Sequence, residues 1–403
     1  MTTRRSLLQS GAGAVAAFAF GGRSARAANA PGITDREIKI GQTMPYSGPA
    51  SAYGVEGKAD TAYFRMINEQ GGINGRKINL ISLDDSYSPP KTVEQIRRLV
   101  EQDGVAFIFN SLGTPTNAAI RQYLNDNRVP QLLIASGAAM FSDPQRFPWT
   151  MGFIPNFRAE AGIYARHIVA TKPEAKIGVL YQNDSFGKDY LSGLRDALGA
   201  DHGAKVIKEA SFEIYEPTVD SQVATLQGSG ADVLLIAATD KFAAQAIRRA
   251  FDIDWTPTRY LAYPARSVVA VMKPAGLEKS KGVISANFAK DPTDPRWKDD
   301  PGMKQWQAFC AKYLTQTDLI DAIAANGFTY AAILVQVLKK CGDDLSGENI
   351  MRQATNLKDI ELPLLLPGVK VNTSPTNYSP IRQMQLATFN GESWELFGEI
   401  LEA

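Results

Sequence analysis

Residues 105–137 read VAFIFNSLGTPTNAAIRQYLNDNRVPQLLIASG, and this stretch contains the repeating unit of the fold. The apolar run 105–110 has the length of a strand. Thr114 followed by Pro115 predicts an N-cap and the start of a helix that continues to about residue 126. A second apolar run occupies 130–135. Two buried strands joined by a helix predict a parallel sheet covered by helices on both faces.

The same alternation of strand and helix extends along the chain in both directions. Upstream, the predicted elements are a strand around Ile38 and Ile40, a helix at 52–70, a strand at 78–83 and a helix at 89–102. Downstream, helices at 158–171, 186–200, 217–227 and 241–251 alternate with strands at 176–182, 205–212, 232–238 and 259–263. The pattern restarts near 149–155, which predicts two α/β lobes in series.

The last third of the chain departs from this alternation. A strand is predicted at 282–288, and two helices follow at 302–314 and 321–340. Short strands are predicted at 362–366, 369–371, 383–389 and 394–400. A mixed tail of this kind would complete both lobes, which requires the chain to cross between them more than once.

The first 28 residues predict export. Arg4 and Arg5 precede an apolar stretch at 11–22, and Ala25 and Ala27 offer the small residues of a cleavage site. The adjacent arginines favour a twin-arginine signal peptide over an ordinary secretory signal. No other apolar run is expected to approach membrane length, so the mature protein is predicted to be soluble. The signal peptide predicts that it is periplasmic.

Composition narrows the classes of function. The chain has 43 basic and 42 acidic residues among 403, a balance that argues against a nucleic-acid partner. With two cysteines and two histidines, a histidine-rich or thiolate metal site is not expected, and no cofactor motif is present. No nucleophile and base motif of a hydrolase is present either, so the protein is predicted not to be an enzyme.

Small polar turns follow several of the predicted parallel strands. Ligands bind at these carboxyl ends in open α/β sheets. The turn before the helix at 114 would also present free N–H groups to an anion. Aromatic residues near these turns, Tyr53, Trp149, Phe186 and Tyr263, would wall an apolar cleft. The turns are Ser111-Leu112-Gly113-Thr114, Ala135-Ser136-Gly137, Asn183-Asp184-Ser185-Phe186 and Ala238-Thr239-Asp240.

Four segments resemble the periplasmic substrate-binding proteins of ABC importers, in the branch that binds leucine, isoleucine and valine. They are IKIGQTMPYSGPASAYG (38–54), GGINGRKINLISLDDSYSP (71–89), NSLGTPTN (110–117) and NDSFGKDYLSGL (183–194). The resemblance implies the type I architecture, with two Rossmann-like parallel-sheet lobes joined by a three-crossing hinge. It places lobe one at 29–154 and 287–382, and lobe two at 155–286 and 383–403.

The resemblance also implies a ligand site between the lobes. The family's carboxylate-binding turn matches Ser111-Leu112-Gly113-Thr114, and its second contact strip matches Ala135-Ser136-Gly137. The aromatic residue of its first loop matches Tyr53, whereas its tyrosine on lobe two is replaced by Phe186. The positions that bind the ligand's ammonium hold Arg158 and Tyr263-Pro264. Thr239 and Asp240 complete the predicted site, and Asp240 or Glu160 would replace the missing carboxylates.

An arginine at a position where the family has a carboxylate would repel an ammonium group and attract an acid. The predicted ligand is therefore a carboxylate or an amide without an α-ammonium, and aromatic acids are included. A free amino acid is the alternative. The predicted function is a monomeric solute receptor that delivers its ligand to an ABC permease. A sensor of the same fold, signalling to a membrane receptor, is the alternative.

Cys310 and Cys341 are the only cysteines, and export would permit a disulfide between them. Cys310 lies near the end of the predicted helix 302–314, close to the connecting loop, whereas Cys341 lies at the far end of the next predicted helix, 321–340. An antiparallel arrangement of these helices would separate the two Cα atoms by roughly 20 Å, far beyond the ~7 Å that a disulfide tolerates. Two free thiols are therefore predicted.

Overall fold

The computed structural model describes residues 31–402, and the predicted signal peptide at 1–28 lies outside the described residues. The first part of the fold contains β1 (Glu37–Met44), α1 (Gly54–Glu69), β2 (Lys77–Asp84), α2 (Pro89–Arg97), β3 (Ile108–Phe109), α3 (Thr114–Asp126), β4 (Gln131–Ile134) and β5 (Thr150–Gly152). The middle part contains α4 (Phe157–Thr171), β6 (Ile177–Gln182), α5 (Ser185–His202), β7 (Val206–Phe212), α6 (Asp220–Gly228), β8 (Val233–Ala237), α7 (Asp240–Asp252), β9 (Thr258–Leu261), α8 (Lys273–Ala275), α9 (Leu277–Ser280) and β10 (Ile284–Asn287). The last part contains α10 (Pro301–Tyr313), α11 (Ala322–Cys341), α12 (Gly347–Ala354), β11 (Gln383–Phe389) and β12 (Trp394–Glu402).

These strands form two separate sheets. The first sheet has the order β2-β1-β3-β4-β5, and all its neighbouring strands are parallel. The second has the order β12-β11-β10-β9-β8-β6-β7 and is parallel except for β11 and β12, which run antiparallel to their neighbours. Because parallel strands end at the same edge, the turns after β3 and β4 lie together, as do those after β6 and β8.

The chain crosses between the two lobes three times. It passes from the first sheet to α4 after β5, leaves the second sheet after β10, and returns to it at β11. Between the last two crossings, α11 packs against α1 of the first lobe. The prediction of two parallel-sheet lobes and a three-crossing hinge is confirmed. The exact lobe boundaries, 29–154 with 287–382 and 155–286 with 383–403, stay a prediction.

Two predictions about the tail are wrong. Residues 362–366 and 369–371 are not strands, since they form only the single bridges Ala289–Leu365 and Ile360–Val371. Pro363 has no N–H to donate, and Leu365 N–H donates to Leu362 O within a turn. The apolar pattern there reflects burial of the leucines rather than pairing. Helix α12 occupies a stretch for which no element was predicted.

The strand predicted at 105–110 is also shorter than expected. Only Ile108–Phe109 has strand geometry, although Phe107 O and Ala106 N still bond to the neighbouring strand β1. Asn110 has φ 45°, a left-handed conformation that ends the strand and turns the chain toward α3.

The prediction that no other apolar run approaches membrane length is wrong for helix α11. It has 20 residues and a mean hydropathy of 1.3 in its most apolar window, which is sufficient by length and composition to cross a membrane. In the fold, however, 83% of that window is buried. Gly327 allows α11 to approach α1 closely, because a Cβ atom there would lie 2.4 Å from Glu56 O. α11 is therefore a core helix in this structure.

Both cysteines are free and buried, as predicted. Cys310 packs with Ala324, Ala325 and Phe328 near the start of α11, whereas Cys341 is the last residue of that helix, before Gly342. Burial raises the pKa of both thiols to about 12, so neither is a reactive thiolate near neutral pH.

Thiol titration of this protein should find two reactive groups after denaturation without a reducing agent. Native protein should react slowly, because both thiols are buried and protonated. A count of zero in the denatured protein would show that the two cysteines form a disulfide and that the packing of α10 against α11 is different.

Candidate functional site

A cavity lies between the two lobes at the carboxyl ends of the parallel strands. Its empty volume is ≈ 510 Å³, a figure that includes the open solvent at its mouth. It is lined by Tyr53, Glu56, Tyr87, Leu112, Gly113, Thr114, Ala135, Ser136, Ile154, Phe157, Phe186, Thr239, Tyr263, Pro264, Asn326 and Tyr330.

The polar corner of this cavity is the start of α3. Gly113 has φ 104°, and a Cβ atom there would lie 2.6 Å from both Thr116 Oγ1 and Tyr87 Cε2, so the turn requires glycine. Thr114 is the first residue of α3 rather than its N-cap, and its hydroxyl lies 2.7 Å from the Ser136 hydroxyl. The paired hydroxyls and the positive end of the helix favour an anionic or hydrogen-bond-accepting group.

Aromatic side chains form most of the remaining wall. Phe157 and Phe186 meet edge to face with ring centroids 5.1 Å apart, and Tyr190 packs on both rings. The six aromatic residues that line the cavity are Tyr53, Tyr87, Phe157, Phe186, Tyr263 and Tyr330. This wall suits an apolar or aromatic ligand body.

The lobes contact each other across the cavity. Tyr53 Oη donates to Pro264 O at 3.2 Å, and Tyr263 Oη donates to Asn326 Oδ1 at 3.2 Å. These bonds join the start of α1 and the face of α11 to the loop after β9. The structure is therefore a closed form, in which tyrosines from opposite lobes define the cavity.

Two buried carboxyl groups on the second lobe were candidates to bind a ligand's ammonium. Glu160 accepts hydrogen bonds from Tyr164 Oη at 2.6 Å, Tyr190 Oη at 2.6 Å and Tyr263 N at 2.8 Å, so it is saturated beneath the wall. Asp240 lies beside the Tyr53 hydroxyl but outside the lining, and burial raises its pKa to about 8. Neither group faces the cavity.

Burial raises the pKa of Glu160 from its ordinary 4.5 to about 7, against the opposing effect of its hydrogen bonds. A raised folded-state pKa contributes stability below about pH 4.5 that is lost as pH rises through about 7. We therefore expect the free energy of unfolding to fall more steeply over this window in the wild type than in Glu160→Gln, as measured by urea unfolding. Glu174→Gln, an exposed control, should match the wild type. Identical profiles for all three proteins would contradict this.

The structure brings most of the predicted site together. Tyr53, Leu112, Gly113 and Thr114 line the cavity, as do Ala135, Ser136, Phe186, Thr239 and Tyr263. Ser111 and Gly137 lie just behind it, where Ser111 Oγ accepts from Thr43 N at 3.0 Å and Gly137 O accepts from Phe157 N at 2.8 Å.

Arg158 is placed elsewhere, which corrects the predicted site. Its side chain is 45% exposed, pairs with Asp196 at 3.1 Å and does not line the cavity. The preceding residue, Phe157, is the one that lines the cavity. Neighbouring residues on a helix point about 100° apart. A shift of one residue in the match to the family therefore assigned Arg158 to a place that Phe157 occupies. Trp149 also lies outside the lining.

Several lining residues were missed in the sequence. Glu56 follows Tyr53 by three residues, a spacing that places both on one side of a helix and could have identified it. Asn326 and Tyr330 likewise share a face of α11, but only the fold brings that helix to the cavity. The full set of missed residues is Glu56, Tyr87, Ile154, Phe157, Asn326 and Tyr330.

Comparison with known proteins assigns the family. The sequence model described as periplasmic binding protein matches residues 37–393. The chain belongs to this periplasmic binding protein family. Within the described residues 31–402, no group of three or more histidine, cysteine, aspartate or glutamate residues could hold a metal ion.

Individual relatives of this periplasmic binding protein are distant. The "Leu/Ile/Val-binding protein homolog 3" of Brucella melitensis is 27% identical over 209 residues, which cover 49% of this chain. The chain spans about half of that relative, 53% of its length. The Thermus thermophilus structure described as a branched chain amino acid ABC transporter with bound valine has a TM-score of 0.82 at 16% identity and covers 92% of this chain and 98% of its own. A fatty acid ABC transporter substrate-binding protein from Thermomonospora curvata has a TM-score of 0.78 at 20% identity, covering 93% and 95%. At this identity the two structures establish the fold alone.

Proposed function

We propose that this chain is an extracytoplasmic receptor for a small solute, which it binds between its lobes and delivers to an ABC permease in the inner membrane. The observation that supports this most is the cavity itself. It combines the start of α3, an aromatic wall, and residues from both lobes that meet only on closure. A closed form of this kind would be the state that a permease recognises.

We infer that the ligand is a small carboxylate or amide with an apolar or aromatic body. The hydroxyls of Thr114 and Ser136 suit its acceptor group. Phe186 and Pro264 give the second-lobe wall an apolar character. Arg158 does not support this inference, because it pairs with Asp196 and does not line the cavity. Glu160 and Asp240, the second-lobe carboxyl groups that would replace the family's ammonium-binding positions, do not line the cavity, which speaks against an α-ammonium on that side of it. A free amino acid is the alternative.

Relatives of the same fold do not determine the ligand. One of the similar structures is described with valine bound, and another is described as part of a fatty acid transporter. One fold thus occurs in proteins described for different solutes, and the lining residues must decide the ligand here.

Thr114→Ala should weaken ligand binding by about 1–3 kcal/mol, because it removes a hydroxyl that would bond to a charged or strongly polar group. The free energy of unfolding should change by only about 1 kcal/mol. Isothermal titration calorimetry gives the first quantity and urea unfolding the second. Thr225→Ala, an exposed position on α6, is the matched control and should bind as the wild type does. Unchanged affinity in folded Thr114→Ala would remove this corner from the site.

A thermal-shift screen of the purified protein tests the proposed function. The panel should contain aliphatic and aromatic acids, their amides, and the branched-chain amino acids. A ligand at 100 times its dissociation constant should stabilise the protein by about 2.7 kcal/mol. Stabilisation by acids or amides supports the proposed class, and stabilisation by leucine or valine alone supports the alternative. Consumption of a bound compound would instead indicate an enzyme.

A further inference from the structure

Glu56 is the one carboxyl group among the described residues that lines the cavity. It lies in the first turn of α1, only 2% of it is exposed, and its Oε1 has no hydrogen-bond partner within residues 31–402. A buried oxygen without a partner is costly, and in native proteins it usually has a function.

A second buried carboxyl group and a buried amide, Asp60 and Asn110, lie close to Glu56. Asp60 is one helical turn further along α1, and its Oδ2 accepts from Gln42 Nε2 at 2.7 Å and Asn110 Nδ2 at 2.8 Å. Asp60 Oδ1 and Asn110 Oδ1 have no partner within residues 31–402, although both residues are fully buried. Glu56 therefore adjoins two further unpaired oxygens.

Arg266, the guanidinium that bonds to the lining residue Tyr263, is paired with a different carboxylate. Arg266 Nη1 donates to Asp291 Oδ2 at 2.9 Å, and its Nη2 donates to the Tyr263 hydroxyl at 3.0 Å. Three tyrosines also respond to the charge of Glu56, and they are Tyr46, Tyr263 and Tyr330. The groups around Glu56 are thus the Asp60 carboxyl, the Asn110 amide and neutral phenols, whereas Arg266 is paired with Asp291.

We propose that Glu56 receives a cationic group, such as a protonated amine or an amidinium, at the part of the cavity next to Tyr263 and Tyr330. A cation carries only donors, which matches the unpaired oxygen of Glu56, the carboxyl group that lines the cavity. This inference rests on the proposed function, because it requires a ligand in the same cavity.

A ligand that fits both the proposed function and this cation site would carry an acid group at the start of α3 and a cationic group remote from that acid. Both groups would contact the first lobe, where a ligand docks before closure. An inorganic monovalent cation could also pair with the Glu56 carboxylate. The test must therefore distinguish a cationic group of the ligand from a free inorganic cation.

The protonation of Glu56 supplies a second readout. Burial raises its pKa well above the usual range, and the charge of Asp60 raises it further. A bound cation favours the ionised carboxylate, so binding should release a proton to the buffer.

The test compares 4-(aminomethyl)benzoate with 4-(hydroxymethyl)benzoate, two acids of similar shape that differ in the charge of the remote group. We expect the amine to bind the wild-type protein ~10- to 100-fold more tightly. Glu56→Gln should remove this preference. Glu69→Gln, the same change at the exposed end of α1, should keep it. Calorimetry of the wild type in buffers of different ionisation enthalpy should detect proton release with the amine only.

Each outcome decides the inference. Equal binding of the two benzoates, or an amine preference that survives Glu56→Gln without proton release, overturns it and leaves the proposed function intact. Stabilisation of the wild type but not of Glu56→Gln by sodium or potassium chloride alone assigns the site to an inorganic cation. If neither these benzoates nor any member of the wider panel binds, the proposed function itself fails, and the inference fails with it.

Discussion

Arg266→Met should lower the free energy of unfolding by about 3–5 kcal/mol, because it leaves the carboxylate of Asp291 buried without its cation. The side chains of Arg266 and Asp291 are 3% and 2% exposed, and Nη1 lies 2.9 Å from Oδ2. Methionine replaces the aliphatic volume of arginine, so the lost pairing rather than a cavity should dominate. Urea unfolding at neutral pH measures the effect.

The double variant Arg266→Met with Asp291→Asn is the matched control. It removes the unpaired charge, so it should be more stable than Arg266→Met alone. The same ion pair supports Tyr263 in the cavity wall, since Arg266 Nη2 donates to its hydroxyl. Ligand affinity should therefore also fall in the single variant. A single variant as stable as the wild type, or a double variant no more stable than the single one, would contradict this account.

Gly113→Ala should have the second large effect, on both folding and binding. The φ of 104° is unfavourable for alanine, and the new Cβ would lie 2.6 Å from Thr116 Oγ1 and from Tyr87 Cε2. We expect a loss of stability of about 2–4 kcal/mol, the sum of backbone strain and overpacking. Movement of Tyr87 and α3 should also abolish ligand binding.

Gly71→Ala separates the effect of backbone strain from the effect of overpacking. Gly71 has the same φ of 104°, but a Cβ atom there would meet nothing within 4 Å. Its substitution should cost only the backbone term, about 1–2 kcal/mol, and should leave ligand binding unchanged. Urea unfolding and calorimetry of both variants test the comparison. Equal losses of stability, or full ligand affinity in Gly113→Ala, would show that the turn tolerates a side chain.

The sequence predicts the architecture well because the fold repeats a local pattern. Each buried strand and its following helix leave apolar runs and turn residues within a short window, as at 105–137. The same reasoning fails at 362–371, where buried leucines lie in turns rather than strands. Burial alone gives an apolar run, and only hydrogen-bond partners from elsewhere in the chain make it a strand.

The candidate site is predicted where its residues follow strands of the sheets, and less well where a helix distant in sequence contributes to it. The turns at Gly113-Thr114 and Ala135-Ser136 follow strands of one sheet, so strand order is sufficient to bring them together. Asn326 and Tyr330 reach the cavity on a helix about two hundred residues away in sequence, which no local pattern encodes. Arg158 was misplaced because neighbouring helix positions face different directions, and Phe157 occupies the cavity instead.

A crystal structure of the complex with the tightest ligand of the screen tests the central claim most directly. The account predicts the ligand between the lobes, with an acceptor atom within about 2.6–3.2 Å of the Thr114 or Ser136 hydroxyl. Its body should lie against Tyr53 and Phe186. A ligand bound outside this cavity, for example in the surface groove between α1, α10 and α11, would contradict the account.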